Sequence, residues 1–134
     1  MTKRIEVNPK WPWAEKFDFN LGIRVGNTVY VSGSVAWDPD GNIVGGDDML
    51  AQSRQAFANT IAVLAEAGAG PEHIVRITWY VGDKAEYLGA LKDVGAAYRD
   101  IIGRHYPAMA VIEVKGFVEA GAKMEMEATA VMPA

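Results

Sequence analysis

Two stretches near the C-terminus most constrain how this chain can fold: Tyr106-Pro107-Ala108-Met109-Ala110-Val111-Ile112-Glu113-Val114 and, a short loop later, Lys123-Met124-Glu125-Met126-Glu127-Ala128. Both read as β-strands, in which successive side chains point to opposite faces. Glu125, Glu127 and Thr129 then share one face of the second strand, and Met124, Met126 and Ala128 the other. A carboxylate in mid-strand among apolar neighbours is costly to bury unless it is paired or used. The pattern demands a sheet packed on its methionine face, and leaves the glutamate face to meet water, a partner or a ligand.

The rest of the chain supplies elements for that sheet. A strand over 23–25, the two-residue turn Gly26-Asn27 and a long strand over 28–37 form a hairpin. Asp38-Pro39-Asp40-Gly41-Asn42 is a turn, and Ile43-Val44 reads as a short third strand. The stretch before it, through Trp13 and Phe19, reads as irregular and aromatic-rich. Asp47 and Asp48 can cap a helix starting near Met49, with Leu50, Phe57, Ile61 and Leu64 on its apolar stripe and Gln52, Arg54, Gln55 and Asn59 mostly opposite. Gly68 and Pro71 end it. A strand over 74–81 places Val75, Ile77, Trp79 and Val81 on one face, and a second helix spans about 84–102. The predicted order is β-β-β-α-β-α-β-β, an α+β domain over 1–134 in which two helices cover one face of a mixed six-stranded sheet. Polar alternation on the other face is weak, which predicts that another subunit buries it.

Composition excludes several function classes. The 134 residues carry a net charge of −4 with no cluster of Lys and Arg, which argues against nucleic-acid binding. There is no cysteine, so thiol catalysis and thiolate metal sites are out. Only His73 and His105 offer imidazole, in a loop and after a helix respectively, and no metal constellation or phosphate loop is present. No apolar run approaches the ~20 residues of a membrane span, nor is there a signal-peptide pattern, so a cytoplasmic protein without cofactor is expected.

Gly26-Asn27-Thr28-Val29-Tyr30-Val31-Ser32-Gly33, the turns around Asp38-Pro39-Asp40-Gly41 and Gly45-Gly46-Asp47, the helix Gln52–Asn59 and the strand 74–81 with Asp83 resemble, in order and spacing, the RidA/YjgF family of reactive-intermediate deaminases. The resemblance implies a chorismate mutase-like fold and a homotrimer whose ligand clefts lie between subunits. It also implies that Glu125 is the glutamate that positions the hydrolytic water. Pro107-Ala108 matches the family's Pro-Ala-Arg, but Met109 stands where the substrate-binding arginine is expected. Phe19-Asn20 replaces a Tyr-Ser pair, Gly95 a frequent asparagine, and Ser32-Gly33-Ser34-Val35-Ala36 the Ser-Gly-Gln-Ile-Pro segment.

Methionine cannot imitate the planar fork of a guanidinium. Losing a bidentate pair with a carboxylate costs at least about 3 kcal/mol, on the order of a hundredfold in binding. Efficient deamination of small 2-imino acids is therefore not expected unless Arg24, Lys115 or Lys123 compensates, and each of these reads as a solvated strand-end charge. The expected site combines Glu125 as the catalytic residue with Phe19, Gly33, Trp37, Met109 and Val111 as binding residues. It would hold an unsaturated amino compound lacking the usual small carboxylate. A non-catalytic trimer binding an apolar or aromatic ligand is the competing expectation. Trp79 reads as core, His105 as structural, His73 as solvated, and Glu127 as an exposed partner of a basic residue.

Overall fold

The computed structural model describes residues 3–16 and 18–134, with the backbone alone at 15 and 16. Six strands form one mixed sheet: β1 (Arg4–Val7), β2 (Gly22–Val25), β3 (Thr28–Ser34), β4 (Ile74–Val81), β5 (Ala108–Glu113) and β6 (Met124–Val131). Their order is β1-β2-β3-β6-β4-β5. Only β4 and β5 run parallel, as the helical crossover between them requires. Gly26 turns the β2–β3 hairpin with a φ of 60°, a left-handed value that glycine adopts without penalty.

Three α-helices, α1 (Met49–Glu66), α2 (Lys84–Gly89) and α3 (Leu91–Ile101), lie on the face formed by Ile77, Trp79, Met124, Met126 and Ala128. Phe57 of α1 is fully buried there, edge-on to Trp79 at 5.2 Å and to Tyr98 at 5.8 Å. Asp48 caps α1 by accepting from the Leu50 N–H at 3.0 Å, and Gly68 leaves it with a φ of +86°. In β6, Met124, Met126, Ala128 and Ala130 are buried and Glu125, Glu127, Thr129 and Val131 face the other way, as the alternation predicts.

Three expectations need correction. Ile43-Val44 is no strand: Ile43 makes a single β-bridge with Trp37, and the sixth strand comes instead from Arg4–Val7, a short edge with Arg4 and Glu6 exposed. The helix expected over 84–102 breaks at Ala90 (φ −98°, ψ 2°), after Gly89, a weak helix former. Ala90 still donates to Glu86 and Tyr87, and its carbonyl starts α3 by accepting from Val94. Gln52 and Asn59, placed on the polar side of α1, are buried at 0% and 4% exposure because each serves as a bracket for loops.

No α-helix among the described residues covers the second face of the sheet. Tyr30 of β3 and Ile112 of β5 are 52% and 46% exposed there, next to Thr78, Tyr80, Glu125 and Glu127.

Candidate functional site

The glutamate face is where β3 changes course. Its pairing with β6 shifts register between Val31 and Ser34, a bulge that turns the following residues out of the sheet. Asn59 fixes that departure by donating to the carbonyls of Val35 (3.0 Å) and Trp37 (2.9 Å), and Trp37 packs on Trp13 at 4.3 Å. The Ser32 hydroxyl donates to the Asn20 carbonyl at 2.6 Å, which seats the Phe19-Asn20 segment beside the bulge. The result is an open cleft of about 490 Å³ lined by Phe19, Gly33, Val35, Trp37, Val118 and Glu125. Four of the expected site residues, Glu125, Phe19, Gly33 and Trp37, thus meet in one place.

Within the cleft Glu125 rests on the Cα of Gly33, where an added Cβ would overlap its Oε1. Burial, and secondarily the charge of Glu127, push its pKa above the ordinary 4.5. Glu125 accepts no hydrogen bond from any described residue. Glu127, two residues on, is exposed and accepts from the Tyr80 hydroxyl at 2.9 Å, so its partner is a phenol rather than a base. That bond, with burial behind it, raises the Tyr80 pKa in turn. Two carboxylates on one strand face thus differ in kind: one is hydrogen-bonded in water, the other desolvated and unpaired.

Met109 and Val111 lie elsewhere. In the parallel register they pair with Ile77 and Trp79, which puts them on the helix side of the sheet, opposite Glu125. Met109, 40% exposed, lines a second cavity of about 170 Å³ with Trp79, Tyr87, Gly95, Tyr98, Arg99 and Tyr106. Tyr98 stacks on Tyr106 at 6.1 Å and donates its hydroxyl to the His105 carbonyl at 2.7 Å. Val111 lines neither cavity.

None of the cations considered as substitutes for an arginine at 109 reaches this place. Arg24 donates to the carbonyls of Gly26 (2.9 Å) and Ala67 (3.1 Å), capping the end of α1. Lys123 is not solvated: it pairs with Glu86 at 2.9 Å and Asp47 at 3.1 Å, and those bonds, Glu86 first, raise its pKa. Lys115 lines a different cavity beside Gly82 and Asp83. His73 is not solvated either; its Nδ1 accepts from the Gly70 N–H at 2.9 Å. His105 is structural through other contacts than a helix end, with Nε2 at 2.6 Å from the Ile74 carbonyl.

Gln52 escaped sequence reasoning and shapes both ends of the region. Its amide donates to Gly46 (2.7 Å) and Gly121 (2.9 Å), and its oxygen accepts from the Lys123 N–H at 2.8 Å, so it anchors the loop that carries Val118 over the cleft. Among the described residues no group of three or more His, Cys, Asp or Glu side chains could hold a metal. No described helix is long and apolar enough to cross a membrane.

The fold is that of chorismate mutase-like α+β domains with a cleft on the open sheet face. The family model described as Endoribonuclease L-PSP matches residues 14–132. The chain belongs to that family, the RidA/YjgF family of the sequence resemblance. A RutC family protein of Pyrococcus abyssi is 33% identical over 113 residues, 84% of either chain. A 2-iminobutanoate/2-iminopropanoate deaminase of Salmonella typhimurium is 33% identical over 113 residues, covering 82% of this chain and 84% of that one. Among solved structures, the YjgF gene product of E. coli superposes with a TM-score of 0.82 at 28% identity, over 96% of this chain and 99% of that one.

Proposed function

We propose that the protein is a homotrimeric hydrolase of the RidA type, acting on an imine, enamine or related unsaturated amino compound with an apolar or aromatic body. The carrying observation is the state of Glu125: a carboxylate desolvated on one side, free of hydrogen bonds from described residues, and held against Gly33 in an apolar cleft. Such a group is suited to orient a water and take its proton. The water oxygen bonds to the imine carbon while Glu125 accepts a proton. The same carboxyl returns that proton to nitrogen, giving a carbinolamine, and then carries the new hydroxyl proton to the amino nitrogen as the carbon–nitrogen bond breaks, so that ammonia leaves and a carbonyl compound stays behind. Backbone groups at Gly33 would orient the ligand.

Support for a shared cleft comes from the sheet itself. Met109 and Glu125 point to opposite faces of one chain, so a ligand touching both must lie between two chains. The exposed Tyr30 and Ile112 on the open face are consistent with burial by a neighbouring copy. The deaminase name carried by the Salmonella relative points to the same chemistry. The net charge of −4 weighs against the ribonuclease reading that the family's description carries.

A second reading, a trimer that binds an apolar ligand without turning it over, is favoured by Met109 and by Phe19 in the cleft wall. Ammonia release from a panel of freshly generated imines, by wild type and Glu125→Gln, separates the two. Turnover that depends on Glu125 supports the hydrolase; equal rates remove Glu125 from the chemistry, and binding without turnover favours the second reading.

A further inference from the structure

The cavity beside Met109 contains one charge. Arg99, on α3, lines it together with Tyr98, Tyr106 and Met109. Its Nη1 stands 3.5 Å from where a Cβ on Gly95 would be, so the guanidinium crosses the helix over the one position that offers no side chain. On a helix surface an arginine can pair with an acid three or four residues away. The residues at those spacings are Gly95, Ala96, Ile102 and Gly103, none of them acidic. The neighbouring Asp100 is already bonded to Arg54 at 2.9 Å. Arg99 makes no hydrogen bond or ion pair with any described residue.

We infer that Arg99 supplies the ligand-binding charge that position 109 lacks, and that the ligand carries a carboxylate on a flat apolar or aromatic body. A guanidinium binds a carboxylate through two parallel N–H donors. With no second cation in the lining, a singly charged carboxylate matches the cavity better than a doubly charged phosphate. A cavity of about 170 Å³ is close to the size that takes one benzene-sized ring, and Tyr98, Tyr106, Leu91 and Met109 give that ring apolar walls. The arrangement moves the anchor from strand β5 to helix α3 and leaves Met109 to pack against the ligand body. This inference rests on the reading of the Met109 wall as part of the ligand site.

Binding of 3-phenylpropionate and of its uncharged amide, 3-phenylpropionamide, to the full assembled protein tests it by calorimetric titration. Wild type should prefer the acid by about tenfold or more, the worth of one charged hydrogen-bonded pair. Arg99→Gln should bind both equally, and Arg99→Lys should recover part of the preference; unfolding curves of both variants would match wild type, since Arg99 is exposed. A wild type with no acid preference, or that binds neither probe, overturns the inference, as does an Arg99→Gln variant that keeps the preference. The hydrolase reading fails separately: acid preference lost in Arg99→Gln with no ammonia released from any imine leaves Arg99 in place and removes turnover. Ammonia release from uncharged imines with no acid preference does the reverse.

Discussion

The carboxylate of Glu125 lies against the Cα of Gly33, so near that a methyl group there would overlap Oε1. The clash is with the far end of a flexible side chain and not with backbone. Gly33→Ala should therefore cost little stability, below about 1 kcal/mol, while swinging the carboxylate out of the cleft. Turnover should fall to the level of Glu125→Gln with a nearly unchanged unfolding temperature. An active Gly33→Ala would show that the acid does not act from this position.

Burial keeps Glu125 protonated to higher pH than the ordinary 4.5. In the unfolded chain the same group ionises at its ordinary value, so above it the folded state carries a penalty, complete once pH exceeds the raised folded pKa. Below both values the group is neutral in either state and the penalty vanishes. Glu125→Gln is thus expected to raise the Tm at about pH 8, with the gain lost as pH falls below the ordinary 4.5. Turnover by wild type should fall on acidification with a midpoint above 4.5. A variant less stable than wild type at pH 8 would mean that the carboxylate is paired in the folded protein.

Gln52 is fully buried and holds three backbone groups, at Gly46, Gly121 and Lys123. Gln52→Leu keeps the volume and strands all three. The expected loss is about 3 kcal/mol, near 10 °C in Tm for a domain of this size. The loop 115–122 should become sensitive to limited proteolysis. A variant as stable as wild type would place the loop's anchorage elsewhere.

Much of this was legible in the sequence. The period-two pattern of 124–131 fixed which face of β6 is core, and Asp48 and Gly68 marked the ends of α1. Glu125, Gly33, Trp37 and Phe19 meet in one cleft because three of them flank the same pair of strands and Ser32 ties the fourth to β3. What stayed hidden was tertiary. Arg4–Val7 is too short and too charged to read as a strand until β2 pairs with it. Gln52 and Asn59 look like polar-face residues, since periodicity cannot say that a loop will fold back and need a bracket. The family pattern implies a cleft between subunits for Met109 and Glu125, but only the parallel register with β4 reveals that the two face opposite sides of the sheet within one chain. Arg99 carries no local motif, and only the third dimension sets it beside Met109.

In the proposed trimer each ligand site takes Glu125 from one chain and the Met109 wall from another. Coexpression of Glu125→Gln and Met109→Asp chains under different tags, followed by purification of mixed trimers, tests it most directly. Each variant alone should be inactive. In every mixed trimer one of the three sites would combine an intact Glu125 with an intact Met109 wall, as follows from the symmetry of a cyclic trimer, so about a third of wild-type ammonia release is predicted. Mixed trimers no more active than their parents would rule out a site shared between chains, because every chain would then carry a broken site of its own.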